Sequence, residues 1–240
     1  MGKKAKIIVF SDFDGTIVVK DIGDEIFKVF GQFEPYHSKL RRGEILIRDY
    51  WRTVCNTLKP GITKDDIQNF ALECETDPNF PKFAEFCKEN NIELFIVSDG
   101  FDVYIKPIAE KLGFKKERIL SNKMIFNGRS KPEPFYPRAS ESCNCMVASC
   151  KRNAILENSG DDDIIVYIGD GYSDFCAAEH SDIVFAKKEL AAYCNEKKIP
   201  HYPFSNFFDV YKLLSEAMRK GKLKQRNQSR LLRKKAFEIE

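Results

Sequence analysis

Residues 6–16 read KIIVFSDFDGT, an apolar run that ends in two aspartates, a glycine and a threonine. Runs of Ile, Val and Phe that stop at a polar, glycine-containing turn are typical of buried strands in a parallel sheet. Two later runs have the same form, IELFIV at 92–97 and DIIVYIG at 163–169, and DIVFA at 182–186 indicates a further strand. Because helical patterns separate these runs, the sequence predicts an α/β protein with a Rossmann-like open parallel sheet.

The interval between the first two predicted strands, residues 11–91, is too long for one crossover helix. Its interior shows helical spacing of apolar residues, as in DEIFKVFGQF and ILIRDYWRTVCNTL. We therefore predict a small helical-bundle cap at 20–85, inserted after the first strand of a core that 1–19 and 86–215 form. A basic C-terminal extension, 216–240, follows the core.

The positive charge of the chain is concentrated at its C-terminus. The net charge is +3, yet residues 219–240 alone hold nine Lys or Arg against two Glu. This extension has no recognised nucleic-acid motif, so we expect no specific nucleic-acid partner, and its polarity indicates a frayed helix or disorder. No run of about 18 or more apolar residues predicts a membrane span. Without a secretion signal, the eight cysteines indicate reduced thiols in a cytoplasmic protein.

Polar residues gather where the predicted strands end, and the C-terminal ends of parallel strands converge on one crevice. We expect three groups of residues there: the four acids Asp12, Asp14, Asp170 and Asp174, the turn Ser98-Asp99-Gly100, and Lys151. Four mutually repelling carboxylates require a cation, and oxygen ligands without histidine favour Mg²⁺. A lysine and a hydroxyl beside that ion suit a phosphate, so the pattern indicates phosphoryl transfer through an acyl-phosphate.

Four motifs of the chain resemble, in order and spacing, those of haloacid dehalogenase (HAD) superfamily phosphatases. They are DFDGT at 12–16, the serine after the second strand, the single lysine and GDGYSD at 169–174. The resemblance covers about residues 6–215, and the helical insert is similar to the C1 cap of the phosphoserine-phosphatase-like branch, subfamily IB. The family resemblance implies a Mg²⁺-dependent phosphomonoesterase that acts on a small phosphorylated metabolite.

The resemblance also implies a role for each motif residue. Asp12 would be the nucleophile that becomes phosphorylated, and Asp14 the acid/base. The metal ligands would be Asp12, the backbone carbonyl of Asp14, and Asp170, with Asp174 ligating or supporting. The phosphate-binding residues would be Ser98, Asp99, Gly100 and Lys151.

Three substrate classes stay open from the sequence. Phosphoserine phosphatases bind the two charges of the amino acid with an acid nine residues after the nucleophile and with an arginine of the cap. In this chain Asp21 resembles that acid and Arg52 resembles that arginine. The alternative interpretation is that neither residue binds substrate, so that Asp21 would only cap a helix and Arg52 would only be a charge on a helix surface. Ser98-Asp99-Gly100 is similar to phosphoethanolamine and phosphocholine phosphatases. The segment SCNCMVASCKR and the pattern SDIVFAKKELAAYCNEKKIPHYPFSNF are similar to the methionine-salvage phosphatase that acts on 2-hydroxy-3-keto-5-methylthiopentenyl-1-phosphate.

Two further questions stay open. A HAD-fold protein that binds without catalysis is an alternative function, although every motif residue is present, and the oligomeric state is not predicted. Cys143, Cys145 and Cys150 form a cysteine-rich segment whose spacing lacks a clear fourth metal ligand. A reduced structural loop is the favoured interpretation of this segment, with a metal site and a redox disulfide as alternatives.

Overall fold

The computed structural model describes residues 6–115, 118–128, 131–140, 142–145 and 147–239, and the outermost residues of the predicted core and extension lie outside these ranges. The strands are β1 Ile7–Ser11, β2 Glu93–Phe101, β3 Ile119–Ile125, β4 Glu133–Phe135, β5 Ile164–Gly169, β6 Ile183–Ala186 and β7 Tyr202–Pro203. The helices are α1 Ile22–Phe30, α2 Tyr36–Arg41, α3 Ile47–Thr57, α4 Lys64–Leu72, α5 Phe80–Glu89, α6 Asp102–Lys111, α7 Lys151–Asn158, α8 Phe175–Glu179, α9 Lys188–Glu196, α10 Phe207–Arg219 and α11 Asn227–Ile239.

The strands form one sheet in the order β4-β3-β2-β1-β5-β6-β7, parallel except for the antiparallel β3–β4 pair. All four predicted strands are present, and β1 lies at the centre between β2 and β5. The sequence analysis did not predict β3, β4 and β7. Both β4 and β7 are very short, contain a proline and lie at the sheet edges, where the missing amide hydrogen is tolerated.

The sheet separates two apolar layers, as the alternation of side chains along each strand requires. On β1, Val9 faces one layer together with the cap and helices α6 and α10. Ile8 and Phe10 face the other layer, which helices α7, α8 and α9 cover. The continuous apolar runs in the sequence therefore reflect burial of both faces of the strands.

Strand β2 continues past its predicted end. The sequence predicted a turn at 98–100, but this prediction was wrong, because β2 runs to Phe101. The pairing with β3 is irregular between Val97 and Phe101, where Phe101 pairs with Asn122. The Ser98 hydroxyl accepts a hydrogen bond from the Gly100 amide at 2.9 Å. The irregular end of the strand, and not a turn, therefore positions the Ser98-Asp99-Gly100 motif.

Helices α1 to α4 form the cap between β1 and β2. The chain enters and leaves it at an antiparallel bridge between Val18 and Thr76. The expected cap boundary at residue 85 falls inside α5. This helix packs on the core helix α10 and on β2, so we propose that the cap ends at the bridge.

The C-terminal extension is a docked helix, which corrects the expectation of a frayed or disordered tail. Its first residues belong to α10, and α11 follows after a short loop. Arg233 of α11 is buried and donates to both carboxylate oxygens of Asp182, which lies just before β6, at 3.2 Å each. Within the described ranges, no helix is both long and apolar enough to cross a bilayer.

Candidate active site

The site residues predicted from the core motifs meet at the C-terminal ends of β1, β2 and β5. A cavity of about 700 Å³ lies there, between the core and the cap. The core residues that line it include Asp12, Asp14, Gly15, Ser98, Asp99, Gly100 and Asp170. Lys151 and Asp174 lie just behind this wall, nearly or fully inaccessible to solvent. The irregular end of β2 and the turns after β1 and β5 thus bring motifs that are far apart in sequence into one place.

Lys151 links two of the buried acids. Its Nζ atom lies 2.6 Å from Asp12 Oδ1 and 2.6 Å from Asp174 Oδ1. Burial alone would lower the pKa of Lys151, but the charges of Asp12 and Asp174 raise it above its ordinary value, so the ammonium stays charged. The lysine therefore fixes the orientation of Asp12, whose Oδ1 also accepts from the Phe13 amide at 2.7 Å.

Asp174 is held by four donors. Its Oδ2 accepts hydrogen bonds from the amides of Asp170 and Gly171 at 2.8 and 2.9 Å, and its Oδ1 accepts from Lys151 and from the Tyr167 hydroxyl at 2.5 Å. Because these bonds occupy the carboxylate, its placement favours a supporting role over direct metal ligation.

Asp170 closes the other side of the acidic cluster. Its Oδ2 lies 2.7 Å from Lys188 Nζ, and its Oδ1 accepts from the Thr16 hydroxyl at 3.4 Å. Gly15 has φ +70°, and a Cβ there would lie only 2.3 Å from Asp170 Oδ2. Glycine is thus required twice, by the left-handed backbone and by the approach of the carboxylate.

The side chain of Asp14 is held by two hydrogen-bond donors. Its Oδ1 accepts from the Ile22 amide at 2.9 Å, and its Oδ2 from the Tyr104 hydroxyl at 2.8 Å. A Cβ on Gly100 would overlap the Tyr104 hydroxyl, so glycine there lets the tyrosine reach Asp14. Burial, with a further contribution from the Asp21 charge, raises the pKa of Asp14 well above that of an ordinary aspartate. The protonated form that a general acid requires is therefore favoured.

Asp99 is directed toward the loop that precedes α7. Its Oδ1 accepts from the Ser149 amide at 2.6 Å and from Asn122 Nδ2 at 3.2 Å. Burial raises the pKa of Asp99 to about 6. The carboxylate lines the cavity but is already used to hold the loop, which weakens the case for Asp99 as the partner of a substrate ammonium group.

Asp12 and Asp170 of the acidic cluster fit a divalent cation, with Asp174 in support. One carboxylate oxygen from each of Asp12, Asp170 and Asp174 lies within 4.8 Å of the others, and all three residues are buried. Burial and the Asp174 and Asp170 charges raise the pKa of Asp12 despite the neighbouring Lys151, so the local charge is too negative without a counter-ion. Oxygen donors at this spacing suit Mg²⁺.

The cap places charged residues over the cavity, but not all of those expected. Asp21 lines the cavity and also caps α1, where its Oδ1 accepts from the Asp24 amide at 2.8 Å. Arg52 lies on the outer face of α3, with 66% of its side chain exposed and Asp49 at 3.4 Å. It is absent from the described cavity wall, so the structure does not bring it to Asp21. Arg41 of α2 lines the cavity instead.

The cap wall is otherwise mostly apolar, with two buried donors. Its apolar members are Leu40, Ile45, Leu46, Ile47, Tyr50 and Trp51. Tyr50 is 1% exposed and Trp51 7% exposed, and among the described residues neither the Tyr50 hydroxyl nor Trp51 Nε1 has a hydrogen-bond partner. Buried donors without partners are costly, so these two atoms are candidates to bind oxygen atoms of a ligand.

The comparison with known families agrees with this geometry. A family model described as haloacid dehalogenase-like hydrolase matches residues 9–179, well over half of the chain. The chain belongs to the haloacid dehalogenase-like hydrolase family. The predicted resemblance, the α/β fold class and the assignment as an enzyme are thereby confirmed.

Two curated relatives show where this HAD-like hydrolase lies within the family. The bifunctional enzyme MtnB/MtnX of Bacillus licheniformis is 34% identical over 221 residues, which cover 88% of the chain and 50% of that enzyme. The chain thus spans half the length of this relative. The 2-hydroxy-3-keto-5-methylthiopentenyl-1-phosphate phosphatase of Bacillus mycoides is 31% identical over 206 residues, 85% of the chain and 94% of that protein.

Solved structures support the fold of this HAD-like hydrolase. A substrate-bound phosphoserine phosphatase complex matches with a TM-score of 0.66 at 19% identity, covering 88% of the chain and 99% of that structure. A phosphoserine phosphohydrolase-like protein from Francisella tularensis matches with a TM-score of 0.63 at 20% identity, covering 87% and 99%. At this identity the likeness shows the fold alone.

Sequence reasoning missed several residues of the site. Tyr104 and Tyr167, whose hydroxyls hold Asp14 and Asp174, lie in apolar stretches without a local polar signal. Lys188 was also missed. It adopts a left-handed φ of +47°, and the sequence gives no sign of this conformation. Tyr50 and Trp51 read as core residues of an amphipathic helix, and only the cavity beside them suggests a binding role.

Proposed function

We propose that this HAD-like hydrolase is a Mg²⁺-dependent phosphomonoesterase that works through an aspartyl-phosphate on Asp12. The observation that carries the proposal is the pairing of two neighbouring carboxyl groups that have different hydrogen-bond partners. Burial raises the pKa of both groups, but Asp12 lies 2.6 Å from a charged lysine that opposes the rise, whereas Asp14 is held by the neutral hydroxyl of Tyr104. One group is suited to attack and the other to carry a proton.

In the first half-reaction, a carboxylate oxygen of Asp12 attacks the phosphorus atom of the ester. The bond between phosphorus and the ester oxygen breaks, and its electron pair stays on that oxygen. Asp14 donates its proton to the leaving oxygen, which departs as an alcohol or enol. Ser98 and Lys151 would contact the phosphoryl oxygens.

In the second half-reaction, the Asp14 carboxylate accepts a proton from water as the water oxygen attacks phosphorus. The bond from phosphorus to Asp12 breaks, which releases phosphate and restores both carboxyl groups. Asp12, Asp170 and the backbone carbonyl of Asp14 would hold the Mg²⁺ ion, supported by Asp174. The ion would supply charge neutralisation for the phosphate and for the carboxylates around it.

We further propose that the substrate is 2-hydroxy-3-keto-5-methylthiopentenyl-1-phosphate. Relatives that carry the name of this phosphatase match most of the chain at about 31% identity. The apolar cap wall suits the methylthio tail that this name implies. The partnerless donors Tyr50 and Trp51 suit its hydroxyl and keto oxygens. Neither feature is expected of a pocket built for a small zwitterion.

A second candidate class is phosphoserine or an amino-alcohol phosphate such as phosphoethanolamine or phosphocholine. Asp21 and Asp24 both line the cavity, and a substrate ammonium group would offset their mutual repulsion. Arg41 in the same wall is available for a carboxylate.

The experiment compares kcat/KM for four substrates in the presence of Mg²⁺. They are 2-hydroxy-3-keto-5-methylthiopentenyl-1-phosphate (the enol phosphate), phosphoserine, phosphoethanolamine and phosphocholine. Asp12→Asn is the blank, and we expect it to lose at least about a thousandfold in rate, or roughly 4 kcal/mol of barrier lowering. Preference for the enol phosphate supports the first candidate, and preference for an ammonium-bearing ester supports the second. Turnover that Asp12→Asn retains would contradict the nucleophile assignment.

A further inference from the structure

Four cysteines outside the acidic site converge in space. Cys143, Cys145 and Cys150 lie in the loop before α7, and Cys176 is the second residue of α8. Their Sγ atoms all lie within 4.8 Å of one another. The loop alone offers three thiols, and the fold supplies the fourth from a segment that the cysteine spacing does not indicate.

The distances suit a shared metal ion better than a disulfide. All eight cysteines of the chain are free, and Cys145 Sγ lies 3.6 Å from Cys150 Sγ. Tetrahedral coordination with bonds of about 2.3 Å places the sulfur atoms about 3.8 Å apart. A disulfide requires about 2.05 Å. The cluster is therefore close to the arrangement of a four-thiolate site without further movement of the backbone.

We propose that Cys143, Cys145, Cys150 and Cys176 bind one structural zinc ion. Soft thiolate ligands in a tetrahedral set favour Zn²⁺ over the hard cation that suits the carboxylate cluster. Four protein ligands leave no open position for water or substrate, so the ion is structural and has no part in the hydrolysis. Arg152, which is buried near the start of α7, donates to the hydroxyl of Ser142 in the same loop at 2.8 Å and helps to hold the loop in place.

The zinc site joins the two segments that carry the inner wall of the active site. Cys150 immediately precedes Lys151, and Cys176 follows Asp174 by one intervening residue. Lys151 and Asp174 meet at 2.6 Å. A metal held by both segments therefore fixes the spacing of this ion pair from behind, and Asp99 secures the same loop from the β2 side through the Ser149 amide.

The direct test is the zinc content of the purified full chain, measured by inductively coupled plasma mass spectrometry. We expect one zinc per chain, lost in Cys176→Ser and kept in the matched control Cys74→Ser, whose thiol lies outside the cluster. Asp170→Asn also keeps the zinc, which separates this site from the carboxylate cluster. A mercurial thiol reagent releases the zinc from the unmodified chain.

Cobalt substitution provides a second readout, which does not need a folded cysteine variant. Replacement of zinc by Co²⁺ is expected to give an intense thiolate-to-cobalt charge-transfer band and the visible absorption of tetrahedral Co²⁺. A metal-free chain after growth in zinc-supplemented medium, without these bands on Co²⁺ addition, overturns the proposal. So does a disulfide within the cluster found by mass spectrometry of the native protein, or iron in place of zinc.

Discussion

At the scale of one residue, Asp14 shows how burial raises the pKa of a carboxyl group. Its carboxyl group is enclosed by the start of the cap and by Tyr104, so the charged form is disfavoured and the pKa rises. Asp12, only two residues away, faces a buried ammonium group instead. The two identical side chains thus have different neighbours, and the proposed division of their roles rests on that difference.

Replacement of Asp14 by Asn separates the two half-reactions. We expect turnover of alkyl esters to fall by about 10²–10⁴-fold, because the leaving oxygen and the attacking water both lose their proton-transfer partner. With p-nitrophenyl phosphate, whose leaving group needs no proton, a stoichiometric burst of p-nitrophenolate is expected before slow turnover in stopped-flow measurements. The absence of a burst together with unchanged steady-state turnover would rule out the acid/base role.

Trp51→Phe tests the buried donors of the cap. Removal of Nε1–H is expected to lower kcat/KM for the enol phosphate by about 3–10-fold, the worth of one hydrogen bond of about 0.5–1.5 kcal/mol. Tyr50→Phe should act similarly, while both variants leave kcat/KM for p-nitrophenyl phosphate unchanged. Equal losses on both substrates would indicate a packing defect, and the donors would then have no role in recognition.

Asp24 gives the folded protein a pH dependence. Burial and the neighbouring Asp21 raise its pKa to about 8, above the value of about 3.9 in an unfolded chain. The folded state then holds the extra proton between these values, so stability falls as the pH rises from about 4 to about 8. Asp24→Asn should therefore have a higher Tm than the parent at about pH 8, with a smaller difference at about pH 5. The exposed control Asp162→Asn should show no such trend in thermal melts.

Helix α11 shows how an element with a mostly polar sequence is held in place. Its hydrogen bonds concentrate on Asp182, which accepts from Arg233, from the Ser229 hydroxyl at 2.6 Å and from the Arg226 amide at 3.0 Å. Arg226 also donates to carbonyl groups at the end of α8, including Glu179 O at 2.7 Å. The helix therefore docks through a buried ion pair and backbone caps more than through an apolar face.

Removal of the buried partner of Asp182 should weaken this docking. Arg233→Met leaves the buried carboxylate without its ion pair, so we expect a loss of about 3–5 kcal/mol in the free energy of unfolding. Lys234→Met, an exposed neighbour on the same helix, should stay within about 0.5 kcal/mol of the parent. Urea denaturation measures both. Equal midpoints for the two variants would show that the Arg233–Asp182 pair adds nothing to the stability.

At the scale of the whole molecule, the cap lies over one end of the sheet. Both apolar layers end at the C-terminal edge of the strands, where burial gives way to carboxylates. The cavity lies at this junction, lined by the acidic residues on its core side and by the cap residues opposite them. A cation bound in the acidic cluster would therefore raise the stability of the entire fold.

Mg²⁺ should reverse the stability order of the parent chain and Asp170→Asn. Without metal, the variant is expected to melt higher, because one of the repelling buried carboxylates is neutral. With Mg²⁺ at about 100 times its dissociation constant, the parent gains about 2.7 kcal/mol and should overtake the variant, which binds the ion weakly. Calorimetric melts with Mg²⁺ and with a chelator give the comparison. The same order in both conditions would argue against a Mg²⁺ site at Asp170.

The sequence by itself determined the central strands, the inserted cap and the acids of the site. These features are local: an apolar run of strand length followed by Asp-x-Asp-Gly identifies both a buried strand and the groups at its end. Only the tertiary structure decided that Cys176 joins the cysteines of the loop and that Tyr104 reaches Asp14 past Gly100. It also decided that Arg52 lies outside the cavity and that the basic tail docks on Asp182. The physical reason is that such contacts join segments that are far apart in the chain. The distance between two such side chains is set by how the helices and strands pack, and the residue types alone do not determine it.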